Sequence, residues 1–287
     1  MRKFAVAAAA VAFVMGAGAG SAALAKAPAR SAAYKPARLS DGHPDLNGVW
    51  QVMNTANWDI EPHAARAALQ MRPGPVVPVP AKEVLALGAV GSVPGGPGVV
   101  VGGMIPYTPA ALKQRDDNRA HYLERDPEVK CYLPGVPRAT YMDHPFQILQ
   151  STSQMLFTYE YDSAVRNMLF KDPGPAPTDS WMGQSVAHWE GDTLVVVVSG
   201  FIDQSWLDRA GNHHTDQLKV VERYTPTSAN TVRYEAELTD PGVYTRPWKM
   251  EMNLYRRQGA DAQLQQFKCV EFVEELMYGA LRKNPLK

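Results

Sequence analysis

Residues 231–238 read Thr-Val-Arg-Tyr-Glu-Ala-Glu-Leu, with an apolar side chain at every second position from Val232 to Leu238. The stretches 155–161 and 248–254 alternate in the same way. Side chains two residues apart share one face of a β-strand, so this period places one face against a core and the other toward solvent. The three stretches therefore predict half-buried antiparallel strands.

Turn-forming residues separate these strands from neighbouring apolar runs, at 190–192, 227–230 and 257–261. The spacing is that of hairpins, without the strand–helix–strand rhythm of a parallel sheet. About eight such strands predict a mainly β fold, either an antiparallel β-barrel (lipocalin-like or calycin-like) or a sandwich, with a few peripheral helices. The barrel is favoured because closure removes sheet edges and leaves an interior that can hold a small ligand.

The first 25 residues have the three parts of a secretory signal peptide. Met1-Arg2-Lys3 is a basic tip, residues 4–19 carry no charge, and Ala23-Leu24-Ala25 supplies the small-x-small pattern of a cleavage site. A transmembrane anchor is disfavoured because the run is rich in Ala and Gly and no longer than a signal needs. We expect cleavage near Ala25, a flexible leader over 26–45, and a periplasmic or secreted mature protein.

Charge narrows the possible partners. Removal of Arg2 and Lys3 leaves 27 basic and 29 acidic side chains, whereas nucleic-acid binding requires a concentrated basic surface. No later stretch approaches the roughly 20 apolar residues of a membrane span. We therefore expect a soluble mature protein that binds a small-molecule ligand, with no nucleic-acid partner, no membrane span and no cofactor.

Residues 46–287 are predicted to form a single β-rich domain. Its Pro/Gly-rich segment, 72–106, contains too many helix and strand breakers for a long regular element. It is either a plain surface loop or a flap over a pocket mouth. Helices are predicted over 61–71, from Thr108-Pro109 to about Arg125, and over 271–283.

The two cysteines, Cys131 and Cys269, are an isolated pair in a chain predicted to be exported. In an oxidising compartment such a pair predicts a disulfide, which would close a loop of roughly 140 residues. The alternative is two buried free thiols. Neither cysteine lies in a Cys-x-x-Cys motif or beside a histidine, so no metal site is expected there.

The stretch 206–224 contains the candidate catalytic residues His214, Asp216 and Glu222. They follow a turn at 208–212 and share strand parity with apolar residues, which predicts that all three lie on the inner face. Burial raises the pKa of a carboxyl group toward the range useful for acid–base catalysis. We expect His214 to act as base or acid, Asp216 to orient it, and Glu222 to be the second carboxylate.

The same residues also admit a structural interpretation, because buried carboxylates are commonly paired with arginine. The arginines that could hold Glu222 are Arg138, Arg166 and Arg246. A metal site at His213 and His214 is disfavoured, since adjacent strand residues point to opposite faces. Ser185 is not expected to be a nucleophile, because its surroundings lack the complete Gly-x-Ser-x-Gly turn and the helix that should follow it.

Aromatic and polar residues near this stretch are candidates for ligand binding. Tryptophan and tyrosine rings can line an apolar cavity, and a charged group at its rim can orient the ligand. The candidates are Trp206, Trp181, Tyr224, Arg138 and Asp203.

Several motifs resemble an uncharacterised family of exported bacterial proteins. They include the opening Asp-Leu-Asn-Gly-Val-Trp at 45–50 and the core motif Trp-Glu-Gly-Asp-Thr-Leu-Val-Val at 189–196. Further matching stretches are 126–138, 180–183, 206–224, 246–248 and 269–275. In the family pattern one histidine follows Gly-Asn-x, which here is His214, and His213 is a departure from it. The resemblance implies export but no reaction or substrate.

Two functions therefore remain open from the sequence. The first is an exported enzyme that acts on a small, largely apolar molecule in a β-barrel pocket by histidine and carboxylate acid–base chemistry. The second is a non-catalytic periplasmic carrier of a lipid-like or aromatic metabolite, with charged residues fixing the ligand's orientation.

Overall fold

The computed structural model describes residues 34–65, 68–72, 79–84 and 93–271. The predicted signal peptide, and residues 272–283 of the predicted C-terminal helix, lie outside these ranges. In chain order the strands are β1 (Gly48–Val52), β2 (Ala68–Arg72), β3 (Val79–Val84), β4 (Phe146–Gln150), β5 (Met155–Tyr159), β6 (Val165–Leu169), β7 (Gln184–Glu190), β8 (Thr193–Ser199), β9 (Lys219–Ser228), β10 (Thr231–Thr239) and β11 (Trp248–Arg256).

Nine of these strands form a closed barrel in the order β1-β11-β10-β9-β8-β7-β6-β5-β4. β1 closes it, since Trp50 lies opposite Arg256 of β11 on one side and Phe146 of β4 on the other. The prediction of a mainly β barrel is confirmed, and the sandwich alternative is wrong. One neighbouring pair, β6 and β7, is parallel, because the connection 170–183 returns along the barrel before β7 begins.

The side chains that alternate along the sequence point alternately into the barrel and out to its surface. Val232, Tyr234, Ala236 and Leu238 of β10 are all buried, whereas the intervening residues are exposed or half-buried. β11 shows the same pattern, with buried side chains alternating with exposed ones along its length. The barrel interior is therefore filled by side chains from the strands, including a row of aromatic rings whose centroids lie 5.0–5.9 Å apart.

The two ends of the barrel differ in the length of their connections. Antiparallel order places the segment between β1 and β4, the loop 200–218 and the loop 240–247 at one end. We call this the loop end. The opposite end, which we call the turn end, carries the short connections 151–154, 191–192 and 229–230.

Helices α1 (Pro109–Ala120), α2 (Tyr122–Arg125) and α3 (Arg138–Tyr141) all belong to the connection between β1 and β4. The helix predicted from Thr108-Pro109 is confirmed, with Thr108 accepting a hydrogen bond from the backbone of Ala111. The helix predicted over 61–71 is wrong. His63 instead exchanges backbone hydrogen bonds with Gly96, and β2 begins at Ala68.

The segment 34–45, predicted as part of a flexible leader, is attached to the barrel. Arg38 forms an ion pair of 2.8 Å with Asp192, and the ring of His43 stacks on Trp189 with centroids 4.8 Å apart. This is a correction: the ordered domain already includes residues 34–45. Part of the predicted 72–106 loop is also regular, since β3 lies within it and Val99 and Val101 exchange backbone hydrogen bonds with β11.

The predicted disulfide is confirmed, with the Cα atoms of Cys131 and Cys269 5.6 Å apart. It joins the segment before α3 to the chain that follows β11, across 138 positions of sequence. Within the described ranges, no helix is long and apolar enough to cross a membrane.

Replacing both cysteines by serine should lower the free energy of unfolding by about 2–5 kcal/mol, because the unfolded chain regains the freedom of a long loop. Thermal melts of the oxidised wild type and the double variant measure this difference. Reductant should lower the melting temperature of the wild type but not that of the variant. Equal melting temperatures for the oxidised wild type and the variant would contradict a stabilising disulfide.

Candidate functional site

The loop 200–218 at the loop end carries four of the eight predicted catalytic and ligand-binding residues, Asp203, Trp206, His214 and Asp216. It folds back on itself as a hairpin, in which Trp206 pairs with His213 and the N–H of Leu207 donates to Asn212. In an antiparallel pair the next two residues outward also face each other. For this hairpin they are Ser205 and His214.

Asp208 holds the turn of this hairpin from inside. Its carboxylate accepts hydrogen bonds from the backbone N–H groups of Ala210 and Asn212, from the side chain of Asn212, and from the backbone of Ile60 at 2.8 Å. Burial and the nearby Asp59 raise the pKa of Asp208 to about 7, against the effect of these donors. The contact with Ile60 fixes the hairpin to the segment that follows β1.

Ser205 and His214 form a buried dyad. The Oγ of Ser205 lies 2.7 Å from Nε2 of His214, and Nδ1 of His214 lies 2.8 Å from the carbonyl oxygen of Thr215. Ser205 and His214 are 1% and 3% exposed. The serine hydroxyl therefore has a basic nitrogen within hydrogen-bond distance, and that base is itself oriented by a third group.

The neighbours of the imidazole determine its tautomer. A carbonyl oxygen can only accept a hydrogen bond, so Nδ1 carries the proton and Nε2 of the neutral ring accepts from the Ser205 hydroxyl. Burial lowers the pKa of His214, outweighing the opposing effects of the Thr215 carbonyl, Asp240 and Asp203. At neutral pH the ring is therefore an uncharged base aimed at Ser205.

Asp240 positions His214 indirectly, through hydrogen bonds to the neighbouring Thr215. Its carboxylate accepts hydrogen bonds from the backbone N–H of Thr215 at 2.6 Å and from the Thr215 hydroxyl at 3.0 Å. Asp240 is itself buried in the loop between β10 and β11. The chain of contacts runs from Asp240 through Thr215 to His214 and then to Ser205, and it fixes the direction of the imidazole ring.

The segment around Gly135 packs directly against Ser205, and we call this segment the cover. A Cβ at Gly135 would lie 2.5 Å from Ser205 Oγ, and Gly135 has a φ of +73°, so a side chain is excluded there on both grounds. The same Cβ would lie 3.2 Å from the carbonyl oxygen of Trp181. Beside this contact, the rings of Tyr132 and Trp181 are 4.9 Å apart, and Tyr132 is 45% exposed. An aromatic rim therefore borders the covered dyad.

Arg138, predicted as a ligand-binding residue, anchors this cover instead. Its guanidinium makes two hydrogen bonds to Asp126, one to Glu128 at 2.6 Å and one to Asn57, and it is 1% exposed. Burial alone would raise the pKa of Glu128, but Arg209 and Arg138 lower it to about 2. All three nitrogens of Arg138 are engaged with protein groups, so assigning it to ligand binding is wrong in this structure.

Glu222 points into the barrel as predicted, and Arg166 is the arginine that holds it. One carboxylate oxygen lies 2.5 Å from Arg166 Nη2, and the other accepts from the hydroxyls of Tyr224 and Tyr234 at 2.9 Å. Arg166 also donates to Ser185. The predicted partnership of Glu222 with His214 is therefore wrong, because each residue uses its polar atoms on other groups.

Asp216 does not orient His214. The strand predicted to begin near His214 starts only at Lys219, and Asp216 lies exposed in a turn. The hydrogen bonds between Thr215 and Asp240 take this part of the chain out of the strand ladder, so the predicted parity does not extend to residue 216.

The other predicted ligand-binding residues lie at different depths. Tyr224 is fully buried in the barrel and Trp206 is 8% exposed, whereas Asp203 is exposed and Trp181 half-buried at the rim. Among the predicted ligand-binding residues, Trp181 and Asp203 are thus the two that solvent reaches at the loop end. Sequence reasoning missed Ser205, because only the pairing of Trp206 with His213 places it opposite His214, whereas a hairpin centred on the turn 208–212 would have placed it opposite Thr215.

A metal is not needed to explain these side chains. Both ring nitrogens of His214 are hydrogen-bonded, and the described part of the chain contains no group of three or more His, Cys, Asp or Glu residues that could hold an ion.

Comparisons with protein-family models, curated proteins and solved structures find no match to this chain.

Glu222→Gln should lower the free energy of unfolding by about 3–5 kcal/mol, because it leaves the buried Arg166 without its counter-charge. Chemical denaturation measures the loss. The matched control is Glu190→Gln, since Glu190 also pairs with an arginine, Arg223, but on the exposed face. The control should change stability little. Equal effects of the two variants would contradict a structural role for the Arg166–Glu222 pair.

Proposed function

We propose that the protein is an exported enzyme that acts on a small, largely apolar molecule, with His214 as the base that activates Ser205 for acyl transfer to water. The observation that carries this proposal is the 2.7 Å contact from Ser205 Oγ to a neutral, oriented imidazole nitrogen. Serine acyl-transfer enzymes on unrelated folds use the same arrangement: the nucleophile is hydrogen-bonded to a base, and a third group orients that base.

The chemistry follows from the two side chains. Ser205 Oγ attacks the carbonyl carbon of an ester while its proton moves to Nε2 of His214, and the same proton then passes to the departing alkoxide as the C–O bond breaks. Water attacks the acylated Ser205, giving a proton to Nε2, which returns it to Oγ as the acid leaves. The Thr215 carbonyl keeps the proton on Nδ1 throughout, and the charge of Asp240 favours the imidazolium.

The burial of Ser205 and the aromatic rings beside it limit which substrates could reach the hydroxyl. Ser205 is 1% exposed, so the segment around Gly135 must move before a substrate reaches the hydroxyl. The surface next to this opening is formed by the rings of Tyr132 and Trp181. Aromatic rings favour an apolar group in the substrate, such as an aromatic or short aliphatic acyl chain.

The proposed location is the periplasm or the extracellular space. It rests on the signal-peptide pattern of residues 1–25 and is supported by the disulfide between Cys131 and Cys269, since disulfides persist in oxidising compartments.

Ser205→Ala should reduce hydrolysis of p-nitrophenyl acetate and butyrate to background, because the nucleophile is lost. His214→Gln should reduce it by about 10²–10⁴-fold, as expected for loss of the base. A fluorophosphonate probe should add one adduct to the wild type, seen by intact mass, and none to Ser205→Ala.

Ser153→Ala is the control, since Ser153 lies exposed in a turn far along the chain from the dyad. It should keep both activity and labelling. Wild-type protein that binds these esters without turnover and without labelling would instead support the carrier function.

The pH profile provides a separate check. Burial lowers the pKa of His214 from its ordinary 6.5, so the neutral base persists to lower pH than a free histidine would allow. Plots of kcat/KM against pH should therefore be flat above pH 6.5 and fall on the acid side, with an inflection below 6.5. An inflection above 6.5 would contradict His214 as the base.

A further inference from the structure

The second arm of the hairpin packs on two tyrosines, Tyr107 before α1 and Tyr244 in the loop 240–247. We call them the tyrosine pair, since their backbones pair and their rings lie 5.5 Å apart. The Tyr244 hydroxyl donates to the carbonyl oxygen of His213 at 2.8 Å, and the Tyr107 hydroxyl donates to the side chain of Asn212 at 2.9 Å. The His213 ring stacks on Tyr107 with centroids 5.9 Å apart. His213 therefore lies at the contact between the hairpin and the tyrosine pair.

One ring nitrogen distinguishes His213 from the other histidines of this region. Its Nδ1 is buried and has no hydrogen-bond partner among the residues that the structure describes. In His63 and His214, by contrast, both ring nitrogens are engaged. A neutral imidazole needs a proton on only one nitrogen, whereas the charged ring carries an N–H on both. Protonation of His213 would therefore bury a charged donor without an acceptor, which costs free energy.

A permanent cation already lies beside the same tyrosine ring. The guanidinium carbon of Arg115, on α1, is 5.8 Å from the centroid of Tyr107. Arg115 is held there by ion pairs of 2.9 Å to Glu61 and 2.8 Å to Asp116. A protonated His213 would add a second positive charge at this contact, against a guanidinium that remains charged throughout.

The balance of these effects favours the neutral ring. Burial is the largest influence and lowers the pKa of His213 from its ordinary 6.5. The backbone of Gly211 and the carboxylate of Asp240 oppose this shift, whereas His214 and Arg115 add to it. The packed ring thus binds fewer protons than a released one. The contact is therefore at full strength above pH 6.5 and weakens as the pH falls below that value.

We propose that the contact of His213 with the tyrosine pair is a pH-sensitive switch. The neutral ring keeps this arm of the hairpin packed, and protonation in mildly acidic solution loosens it. Because the same hairpin carries Ser205 and His214, loosening would also disturb the dyad. The proposal concerns the packing of the hairpin, so it does not depend on the proposed esterase function.

Hydrogen exchange of the full-length protein, followed by mass spectrometry at pH 5.0 and pH 7.5, tests the switch. After correction for the intrinsic exchange rates, protection of peptides covering 205–216 should be about 5-fold lower at pH 5.0, since protonation favours the released ring. Peptides of β10, in the barrel wall, should keep their protection. Equal protection of the hairpin at the two pH values would overturn the proposal.

Variants then identify the group that senses pH. His213→Phe keeps a ring on Tyr107 but cannot be protonated, so protection of its hairpin should be the same at both pH values. If it does not fold, His213→Gln serves instead. The matched control is His188→Phe, which removes an exposed histidine of β7 and should retain the wild-type loss at pH 5.0. A loss that persists in a folded His213 variant would overturn the proposal, and its disappearance in His214→Gln would then assign the effect to the dyad.

Discussion

Closure of the sheet by β1 is the constraint on which the rest of the structure depends. β1 is short, yet it bonds to β11 on one side and to β4 on the other, and so leaves neither of them as a free edge. A barrel of this size closes around side chains, and here the inward residues fill it. Chemistry and ligand binding are therefore expected at the ends of the barrel, where the connections lie.

The Arg166–Glu222 pair shows what the filled interior demands. Burying either charge alone would cost several kcal/mol, so the guanidinium of Arg166 and the carboxylate of Glu222 neutralise each other. The hydroxyls of Tyr224, Tyr234 and Ser185 form hydrogen bonds with their remaining polar atoms. A fully satisfied network of this kind is rigid. Glu222 is fully buried and both of its carboxylate oxygens are engaged with protein groups, whereas the loop end keeps a hydroxyl and a neutral imidazole that are free of charge pairing.

The strands and the inward direction of Glu222 could be predicted from the sequence, because a period of two is a local property of the chain. The helix predicted over 61–71 failed for a non-local reason, since the backbone of His63 is taken by Gly96, 33 positions away. The prediction of a flexible leader failed for a similar reason. Residues distant in sequence contact the leader: Trp189 of β7 stacks on His43, and Asp192 in the following turn pairs with Arg38.

The dyad required knowledge of a hairpin register that no periodicity reveals. Ser205 and His214 meet because Trp206 pairs with His213, and that register depends on Asp208 gathering N–H groups from both the turn and Ile60. The strand parity that linked His214 to Glu222 does not hold, because β9 begins only at Lys219, five residues after His214. Asp240, which lies after β10, redirects Thr215 and so turns His214 toward Ser205.

Both ends of the cover over Ser205 are fixed, which limits how it can open. Cys131 is bonded to Cys269 at one end, and Arg138 is held by Asp126 and Glu128 at the other. Only the six residues 132–137 can therefore move without breaking a disulfide or a buried ion pair. Under the proposed function, an opening of that length would admit a small acyl group beside Tyr132 but not a folded polypeptide. Under the proposed function, the anchors of the cover thus select for small substrates before any contact with the dyad is made.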